Sequence, residues 1–532
     1  MPASVIIPAY RAADSIAETV RAARQITGVG EVIVVDDGSR DGTDNAARAA
    51  GADQVIILPD NRGKGAALAA GLAAAKHENL LLLDADLRES AAQAGPLLDA
   101  ITEPSMSVAV LRSRPGAGGL GFALALARFT IRLLSGLRPV APMSGQRALP
   151  ADLVRHIGLA PRFGVEVALT IETAHLGVPI HEVSLPLEHA RTGRTLAGFM
   201  HRARQFKDIL AYLLLAGYGL GWPALSKRRK LTRAAAFLVT LLLVAALGRI
   251  ASPPATALTA ASIAAALVLW LPVLWITAVW MGLRKPNYLE RRIPAGAGLL
   301  FPLVGLPALW LSPVLPRALW SGLLVIGVLG FVGLLDDVFA AGHRARGLRG
   351  HFLALRRGRL TTGAIKALGG LAAALGAGLL LDPGRPGAIL TDALLIALCA
   401  NFVNLLDLRP GRALKGFLLL CLPALAVSPA SIHLLGPLLG AAAVSAPGDM
   451  SGRAMMGDVG ANVLGGAGGL ALALALSPWD RLAVVLLLVA IHLLCEKHSL
   501  TEIIAGNRCL SSLDELGCAH LAPYPAKEGA GS

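Results

Sequence analysis

The chain has 532 residues, of which 55% are hydrophobic and 5% aromatic, and its formal net charge is +14. Its mean hydropathy of +0.61 is too high for a soluble protein of this length and is typical of a polytopic membrane protein. The basic residues cluster between long apolar runs and do not alternate with aromatic residues, which argues against a nucleic-acid partner and favours contact with anionic lipids or phosphates.

The apolar excess divides the chain into four parts. Residues 1–215 mix charged and apolar positions as an α/β domain does, 216–232 form a basic linker, 233–498 are a succession of apolar runs, and 499–532 form a tail. The five cysteines lack CxxC spacing, so we interpret them as reduced thiols and not as a zinc site. The first ten residues lack a signal-peptide pattern, which predicts that the N-terminal domain stays in the cytoplasm.

Apolar segments of strand length alternate with helical patterns through the first domain. The strands are predicted at Ser4–Pro8, Glu31–Asp37, Gln54–Leu58 and Leu80–Asp86. This alternation predicts a Rossmann-like α/β fold, with a mostly parallel sheet and helices on both faces. Such sheets bind ligands at the carboxyl ends of their strands, so the residues that follow the strands are the candidate site.

Charged residues follow two of these strands and open one helix. Asp84 and Asp86 end the fourth strand, where two carboxylates suit a divalent metal that carries a nucleotide diphosphate. Asn61–Gly65 (NRGKG) offers glycines, backbone amides at a helix N-terminus and Lys64, all suited to phosphate. Either Asp36 or Asp37, at the end of the second strand, is placed to accept hydrogen bonds from a base or ribose. Each motif alone is also ordinary turn chemistry, but their combination favours a ligand site.

The motifs SVIIPAY, VIVVDDGSRDGT, NRGKGAAL and LLLLDAD resemble, in order and spacing, the family-2 inverting glycosyltransferases with the GT-A fold. The closer resemblance is to the polyprenyl-phosphate hexose synthases, and it covers about residues 1–208. It implies a nucleotide-sugar pocket and a site for Mg²⁺ or Mn²⁺ on the diphosphate. The pocket residues would be Pro8, Tyr10, Asp37 and Lys64, and the metal ligands Asp84 and Asp86.

Looser matches (LRSR, SGQR and FGVEVAL) resemble the acceptor side of the same family. They imply that Arg114, Arg128 and Arg147 position a lipid phosphate, which is already anionic and needs cations more than a general base. Arg88 stands where this subgroup usually has Gln, and the sequence leaves open whether it weakens metal binding or contacts the diphosphate. A processive polysaccharide synthase would carry a QxxRW motif near Arg204–Leu210. The sequence there is RQFKDIL, which does not match the motif and argues against this alternative.

Ten membrane spans are predicted from the need for ~20 apolar residues each. They are 233–250, 257–283, 294–312, 318–335, 364–381, 388–407, 414–428, 430–446, 459–477 and 480–496. Most loop lysines and arginines fall on the side of Lys227–Lys230, which predicts a bacterial-type inner-membrane protein with both ends in the cytoplasm. Thr195–Leu215 has the pattern of an interfacial amphipathic helix or of a final domain helix, and the sequence leaves both open.

Polar residues end or begin three of these spans on the predicted cytoplasmic side. Asp336 and Asp337 end one span, Asn404 and Asp407 end another, and Asp458 begins a third. Acidic groups at membrane depth are costly and usually functional. Helix capping accounts for each of them singly, but four acidic positions on one side predict a metal–diphosphate site.

LLDD, NFVNLLD and MMGDVG resemble motifs of the polyprenyl-phosphate N-acetylhexosamine-1-phosphate transferases. The resemblance implies that Asp458 ligates Mg²⁺, that Asn404 and Asp407 surround the nucleotide, and that Asp336 and Asp337 lie near the lipid phosphate. The lysine of the family's DDxxK motif and its histidine cluster are absent, and LRPGRALK replaces the DGxDG continuation. The sequence therefore leaves turnover by this half open.

These patterns predict a membrane glycosyltransferase that moves a hexose from a nucleotide-diphosphate sugar to a lipid acceptor, expected to be undecaprenyl phosphate. The membrane half would bind the lipid phosphate. In one alternative the membrane half is the main enzyme and transfers a sugar-1-phosphate to polyprenyl phosphate. In another it is a non-catalytic lipid-binding scaffold. The expected partners are the nucleotide sugar, the polyprenyl phosphate and membrane lipids, without nucleic acid.

Overall fold

The computed structural model describes residues 2–101, 104–111, 121–160, 162–188, 196–217, 253–287, 292–339, 362–516 and 518. These residues form two compact units, one ending at residue 217 and one beginning at residue 253. The predicted span 233–250 and most of the predicted linker lie outside the described residues.

The first unit is an α/β domain. Its strands are β1 (Ala3–Ala9), β2 (Val29–Asp36), β3 (Gln54–Ile57), β4 (Asn79–Leu82), β5 (Met106–Leu111), β6 (Arg147–Pro150) and β7 (Ile180–Leu185). Its helices are α1 (Ile16–Arg24), α2 (Thr43–Ala49), α3 (Lys64–Ala74), α4 (Gly95–Asp99), α5 (Phe122–Ser135), α6 (Ala151–Ile157), α7 (Val165–His175) and α8 (Leu196–Gly217).

The sheet of the first unit has the order β3-β2-β1-β4-β6-β5-β7, and β6 alone runs antiparallel to its neighbours among these strands. Side chains of β1 alternate between two cores, because Val5 and Ile7 pack in one apolar cluster and Ile6 in the other. Burial on both faces is what a near-continuous apolar strand requires. The predicted mostly parallel α/β fold is confirmed.

The connections of the sheet create a crevice between β1 and β4. The chain passes from β1 to β2 and β3 on one side and then returns to β4 on the other side of β1. Helices leave in opposite directions at such a reversal, which opens a ligand-binding crevice at the carboxyl ends of the strands. Tyr10, Asp37 and Asp84 all follow the carboxyl ends of these central strands.

The second unit is helical, with one two-stranded hairpin. Its helices are α9 (Pro253–Trp275), α10 (Leu300–Trp310), α11 (Pro316–Phe339), α12 (Thr362–Leu381), α13 (Pro386–Leu406), α14 (Arg412–Val427), α15 (Ile432–Met450), α16 (Gly457–Ala475), α17 (Pro478–Lys497), α18 (Leu500–Gly506) and α19 (Arg508–Glu515). The hairpin pairs β8 (Arg284–Pro286) with β9 (Arg292–Pro294).

Seven helices in the described residues are long and apolar enough to cross a membrane. They are Pro253–Trp280, Pro316–Phe339, Gly363–Leu381, Pro386–Leu406, Pro429–Met450, Gly457–Ala475 and Pro478–Glu496. The prediction of ten spans is therefore not confirmed. The predicted span 294–312 contains a shorter helix, α10, and 414–428 corresponds to the 16-residue α14. A multi-pass membrane unit follows from the seven spans.

Close helix packing places the acidic residues of the second unit side by side. A Cβ on Gly333 of α11 would lie 2.7 Å from the carbonyl oxygen of Asp458 in α16. A Cβ on Gly469 of α16 would lie 2.8 Å from the Cα of Ile396 in α13. Glycines at helix contacts let backbones approach closely within a membrane. The ends of α11, α13 and α16 that carry polar residues are thereby held together.

Candidate active site

Lys64 is the centre of the charged cluster in the first unit. Its Nζ lies 2.5 Å from Oδ1 of Asp84 and 2.7 Å from Oε1 of Glu166. Burial disfavours the charged ammonium, but the two carboxylates outweigh it and raise the pKa of Lys64 above its usual value. These three side chains together carry one positive and two negative charges.

The segment before β6 closes one side of this cluster. Nε2 of Gln146 donates to Oδ2 of Asp84 at 2.7 Å, and Ser144 Oγ donates to Oε1 of Gln146 at 3.1 Å. Gly145 lies so close to the cluster that a Cβ there would be 2.6 Å from both carboxylate oxygens of Asp84 and would collide with Nζ of Lys64. Glycine therefore preserves the space around these charges.

Gly145→Ala is expected to lower the rate of any reaction that uses this cluster by about 100-fold, because displacing a group at a reacting centre by ~1 Å costs this much in rate. The loss should appear in the turnover rate, while thermal unfolding shifts little. Gly95→Ala is the matched control, since a Cβ at Gly95 makes only an ordinary 3.6 Å contact with Ile26. Equal rates for the two variants would contradict the tight space assigned to Gly145.

Arg147 lies beneath the cluster and is 1% exposed. Its Nε donates to the carbonyl oxygen of Ser144 at 2.9 Å, and its Nη1 donates to Oγ1 of Thr170 at 3.0 Å. Burial lowers the pKa of Arg147 to about 10, with the charges of Glu166 and Asp84 acting in the opposite direction. These contacts join β6 to α7 under the crevice. Binding of an acceptor phosphate by Arg147 stays a prediction.

The other predicted pocket residues lie along the same edge of the sheet. Asp37 accepts the backbone N–H groups of Arg62 and Gly63, each at 2.8 Å, and so fixes the loop that opens α3. Tyr10 is 44% exposed directly after β1, whereas Pro8 is partly buried within it. Asp37 therefore occupies two backbone N–H groups of the NRGKG loop, and its contact with a nucleotide stays a prediction.

Two arginines have surface contacts and a third lies outside the described residues. Arg88, which has a φ of +52°, donates through Nη1 to the carboxylate of Glu18 at 3.1 Å. The carboxylate of Glu18 is therefore the ion-pair partner of Arg88, the cation that follows the predicted metal ligand Asp86. Arg128 is exposed on α5 and donates to the carbonyl oxygen of Val140 at 3.2 Å. Arg114 is the residue outside the described part of the chain.

Glu166 and Gln146 are members of the cluster that the sequence did not identify. Glu166 lies in the FGVEVAL motif on the first turn of α7, and Gln146 lies in SGQR. Both motifs resemble the acceptor side of the family. The two segments were therefore predicted to contribute to the site, but Glu166 and Gln146 were not singled out. The glutamate reaches Lys64 because the turn that precedes α7 packs against the start of α3, a tertiary contact that no local pattern reports.

The described residues contain no group of three or more His, Cys, Asp and Glu side chains that could hold a metal ion by itself. Asp84 and Asp86 provide carboxylate oxygens, which are the ligands that Mg²⁺ and Mn²⁺ prefer. Mg²⁺ is usually held by one or two carboxylates together with substrate phosphates. The pair therefore fits a metal that arrives with a diphosphate.

A second cluster lies at one end of the helical unit and begins with Lys285 of β8. Its Nζ donates to Oδ1 of Asp337 at 2.6 Å. The same carboxylate accepts the backbone N–H groups of Asp458 and Val459 at 3.2 and 3.1 Å, at the N-terminus of α16. Asp337 thus joins the hairpin, α11 and α16, and a φ of +66° at Gly457 allows this close approach.

Lys366 of α12 joins the remaining members of this second cluster. Its Nζ is paired with the carboxylate of Asp458 and lies 3.8 Å from that of Asp336. In the amide orientation that satisfies both of its atoms, Asn404 donates to Oδ1 of Asp458 at 2.6 Å and accepts from Nζ of Lys366 at 3.1 Å. Lys285 and Lys366, which come from two other elements, therefore bring positive charge into this acidic cluster. The lysine of the DDxxK motif itself is absent from the sequence.

Asp407 lies on the adjoining side and lines a small pocket together with Asn287, Arg409 and Asp449. Oδ2 of Asp449 accepts the backbone N–H of Gly411 at 2.7 Å, which holds the turn after α13. The structure thus brings Asp336, Asp337, Asn404 and Asp458 into one hydrogen-bonded group, with Asp407 on a neighbouring wall.

The fold and the first cluster define a class of protein. It is an α/β domain with a charged cluster of carboxylates and a helix-opening lysine at the carboxyl ends of its strands, joined to a multi-pass membrane unit. The glycosyl transferase family 2 model matches residues 4–133. The glucosyl-3-phosphoglycerate synthase of Mycolicibacterium paratuberculosis is 31% identical over 237 residues, which are 40% of this chain and 71% of that protein.

The undecaprenyl-phosphate mannosyltransferase of Micrococcus luteus is 31% identical over 209 residues, covering 36% of this chain and 85% of that protein. A crystal structure of the Mycobacterium tuberculosis glucosyl-3-phosphoglycerate synthase with Mn²⁺, UDP-glucose and phosphoglyceric acid has 26% identity and a TM-score of 0.34, over 40% of this chain and 79% of that one. The chain belongs to glycosyltransferase family 2 through its first unit.

Proposed function

We propose that the first unit transfers a hexose from a nucleotide-diphosphate sugar to a lipid phosphate, with undecaprenyl phosphate as the acceptor. The observation that carries the proposal is the Lys64–Asp84–Glu166 cluster at the crevice between β1 and β4. The chain also continues into membrane-spanning helices, and one similar protein is an undecaprenyl-phosphate mannosyltransferase. A lipid acceptor accounts for both features together.

In the proposed reaction a phosphate oxygen of the acceptor attacks the anomeric carbon of the sugar. The bond from that carbon to the diphosphate breaks, and the nucleoside diphosphate leaves with the electron pair. One displacement inverts the anomeric configuration. The attacking oxygen is already anionic, so no side chain has to remove a proton. Lys64, paired in the absence of substrate with Asp84 and Glu166, would stabilise the charge that develops on the leaving diphosphate.

The carboxylates of Asp84 and Asp86 would hold a Mg²⁺ or Mn²⁺ ion on the diphosphate. When bound, the ion supplies charge neutralisation of the leaving group. Lys64 occupies Oδ1 of Asp84 and Gln146 occupies Oδ2, so these two side chains keep the carboxylate oriented before substrate enters. Glu166 then offers Lys64 a second carboxylate whenever Asp84 is engaged elsewhere.

The test is the nucleotide released when the purified full-length protein meets Mg²⁺, undecaprenyl phosphate and a panel of UDP- and GDP-sugars. A nucleoside diphosphate with a lipid-linked hexose is the expected product. Asp86→Asn should abolish it, whereas Asp99→Asn, at an exposed position on α4, should leave it unchanged. Product formation without any lipid phosphate would contradict the proposed acceptor.

A second candidate function is sugar-1-phosphate transfer by the membrane unit. It is favoured by the convergence of Asp336, Asp337, Asn404 and Asp458 with two lysines, because ammonium groups among carboxylates suit a diphosphate and its metal. Here an oxygen of the lipid phosphate would attack the sugar-bearing phosphorus of the diphosphate. The phosphoanhydride bond would break, and a nucleoside monophosphate would leave.

We further propose that both clusters face the cytoplasm of a bacterial-type inner membrane.

A further inference from the structure

The C-terminal helices α18 and α19 are fastened to the beginning of α14 by a polar contact, which we call the tail latch (Arg412, Lys415, Thr501 and Asp514). Nε and Nη2 of Arg412 each donate to a carboxylate oxygen of Asp514 at 2.7 Å, and Nη1 donates to Oγ1 of Thr501 at 3.0 Å. Nζ of Lys415 donates to the carbonyl oxygen of Asp514 at 2.6 Å. The latch carries two positive charges and one negative charge.

An apolar cavity with a volume of about 510 Å³ lies beside the tail latch. Its walls come from α13, α14, α17 and the two tail helices. They include Leu419, Leu422, Leu494, Ile503, Ile504 and Leu513. Arg412, Lys415 and Asp514 line the same cavity, so a polar end adjoins an apolar body. This volume lies within the usual range of ~300–1,000 Å³ for ligand pockets.

The helices around the cavity are those on which lipid tails would pack. Only 11% of the apolar membrane-spanning stretch of α17 is buried against the rest of the protein. This is the lowest share among the seven candidate spans of the described residues. Leu419 and Leu422 of α14 are 60% and 61% exposed. A cavity between such surfaces lies beside the bilayer and not beside water. Its natural occupant is therefore a lipid chain.

We propose that this cavity takes one acyl chain of an anionic phospholipid, whose phosphate binds Arg412 and Lys415 in exchange for the carboxylate of Asp514. Basic pockets between membrane helices recognise anionic headgroups in this way. The polar end of the cavity matches the phosphate of such a lipid, and its apolar body matches an acyl chain. The inference does not depend on the proposed transfer reactions, because it uses neither cluster.

The charge of the latch supports the exchange. Burial disfavours the charged form of Asp514, but its bond to Arg412 and the nearby positive charges outweigh burial and lower its pKa. The carboxylate is thus ionised at neutral pH and stands where a lipid phosphate would stand. The basic residues of LRPGRALK, which depart from the resembled family's acidic motif, acquire a function through this contact.

The experiment is thermal unfolding of the full-length protein in a neutral detergent, with dioleoylphosphatidylglycerol or dioleoylphosphatidylcholine added. Phosphatidylglycerol should raise the Tm of the wild type, and phosphatidylcholine should not. Arg412→Gln and Lys415→Gln should each require about tenfold more phosphatidylglycerol for the same rise, as expected for one lost charge-assisted hydrogen bond. Each variant is compared with itself without lipid, so a general loss of stability does not affect the result.

Two further variants separate a lipid site from a merely structural ion pair. Asp514→Asn removes the competing carboxylate and should lower the phosphatidylglycerol concentration needed for the rise, whereas a structural pair would give no such gain. Arg385→Gln, at an exposed arginine before α13, should respond like the wild type. An equal response to phosphatidylcholine, an unchanged Asp514→Asn variant, or a stronger response to undecaprenyl phosphate would overturn the proposal.

Discussion

Lys64→Gln is expected to lower hexose transfer by about 1,000-fold, the upper range for removal of one preorganised group that stabilises developing charge. The ammonium lies between Asp84 and Glu166, so its loss removes the cation for the diphosphate and also leaves two carboxylates facing each other. The rate of nucleoside diphosphate release at saturating sugar nucleotide measures the effect.

Two comparisons make this result specific to the cluster. Lys76→Gln changes a lysine just beyond the C-terminal end of the same helix, α3, and should retain wild-type activity. In a double variant with Asp84→Asn, the two losses should not add, because the residues act as one unit. Additive losses, or a Lys64→Gln variant as active as Lys76→Gln, would remove Lys64 from the mechanism.

The first unit was predictable wherever the signal is local. Strand ends and loop composition placed Asp84, Asp37 and Lys64 on one edge of a parallel sheet, and the sheet confirms that arrangement of strands. Glu166 reaches Lys64 across ~100 residues of chain, through the turn before α7 that packs against the start of α3, and neither spacing nor composition specifies such a contact. The burial of Arg147 likewise depends on tertiary packing around β6 and α7.

In the membrane unit, too, local motifs were predictable from the sequence, whereas tertiary contacts were not. The acidic motifs marked Asp336, Asp337 and Asp458 because charges are rare in apolar runs. The number of spans was less secure, since glycine- and proline-interrupted runs such as 294–312 and 414–428 fold as shorter helices. The sequence motif placed the missing lysine three residues after the aspartates, whereas Lys285 and Lys366 arrive from a hairpin and from the next helix.

Asp458→Asn is expected to abolish any release of nucleoside monophosphate, by at least ~100-fold, while leaving nucleoside diphosphate release from the first unit intact. Asp458 is held by Lys366 and Asn404 at the N-terminus of α16, so the change removes the charge that balances the ammonium and would bind a metal. Chromatography of the nucleotides after reaction with Mg²⁺ and undecaprenyl phosphate separates the two products.

Glu502→Gln, at an exposed acidic residue of α18, is the control and should behave as the wild type. Lys366→Gln should reproduce the effect of Asp458→Asn, because the pair would act on the same diphosphate. If monophosphate is released by the wild type and survives both variants, this cluster is not its source. If no monophosphate forms while diphosphate release continues, sugar-1-phosphate transfer by this cluster is contradicted. Binding of the lipid phosphate by the same cluster would then predict that Asp458→Asn raises the concentration of lipid phosphate needed for half-maximal hexose transfer.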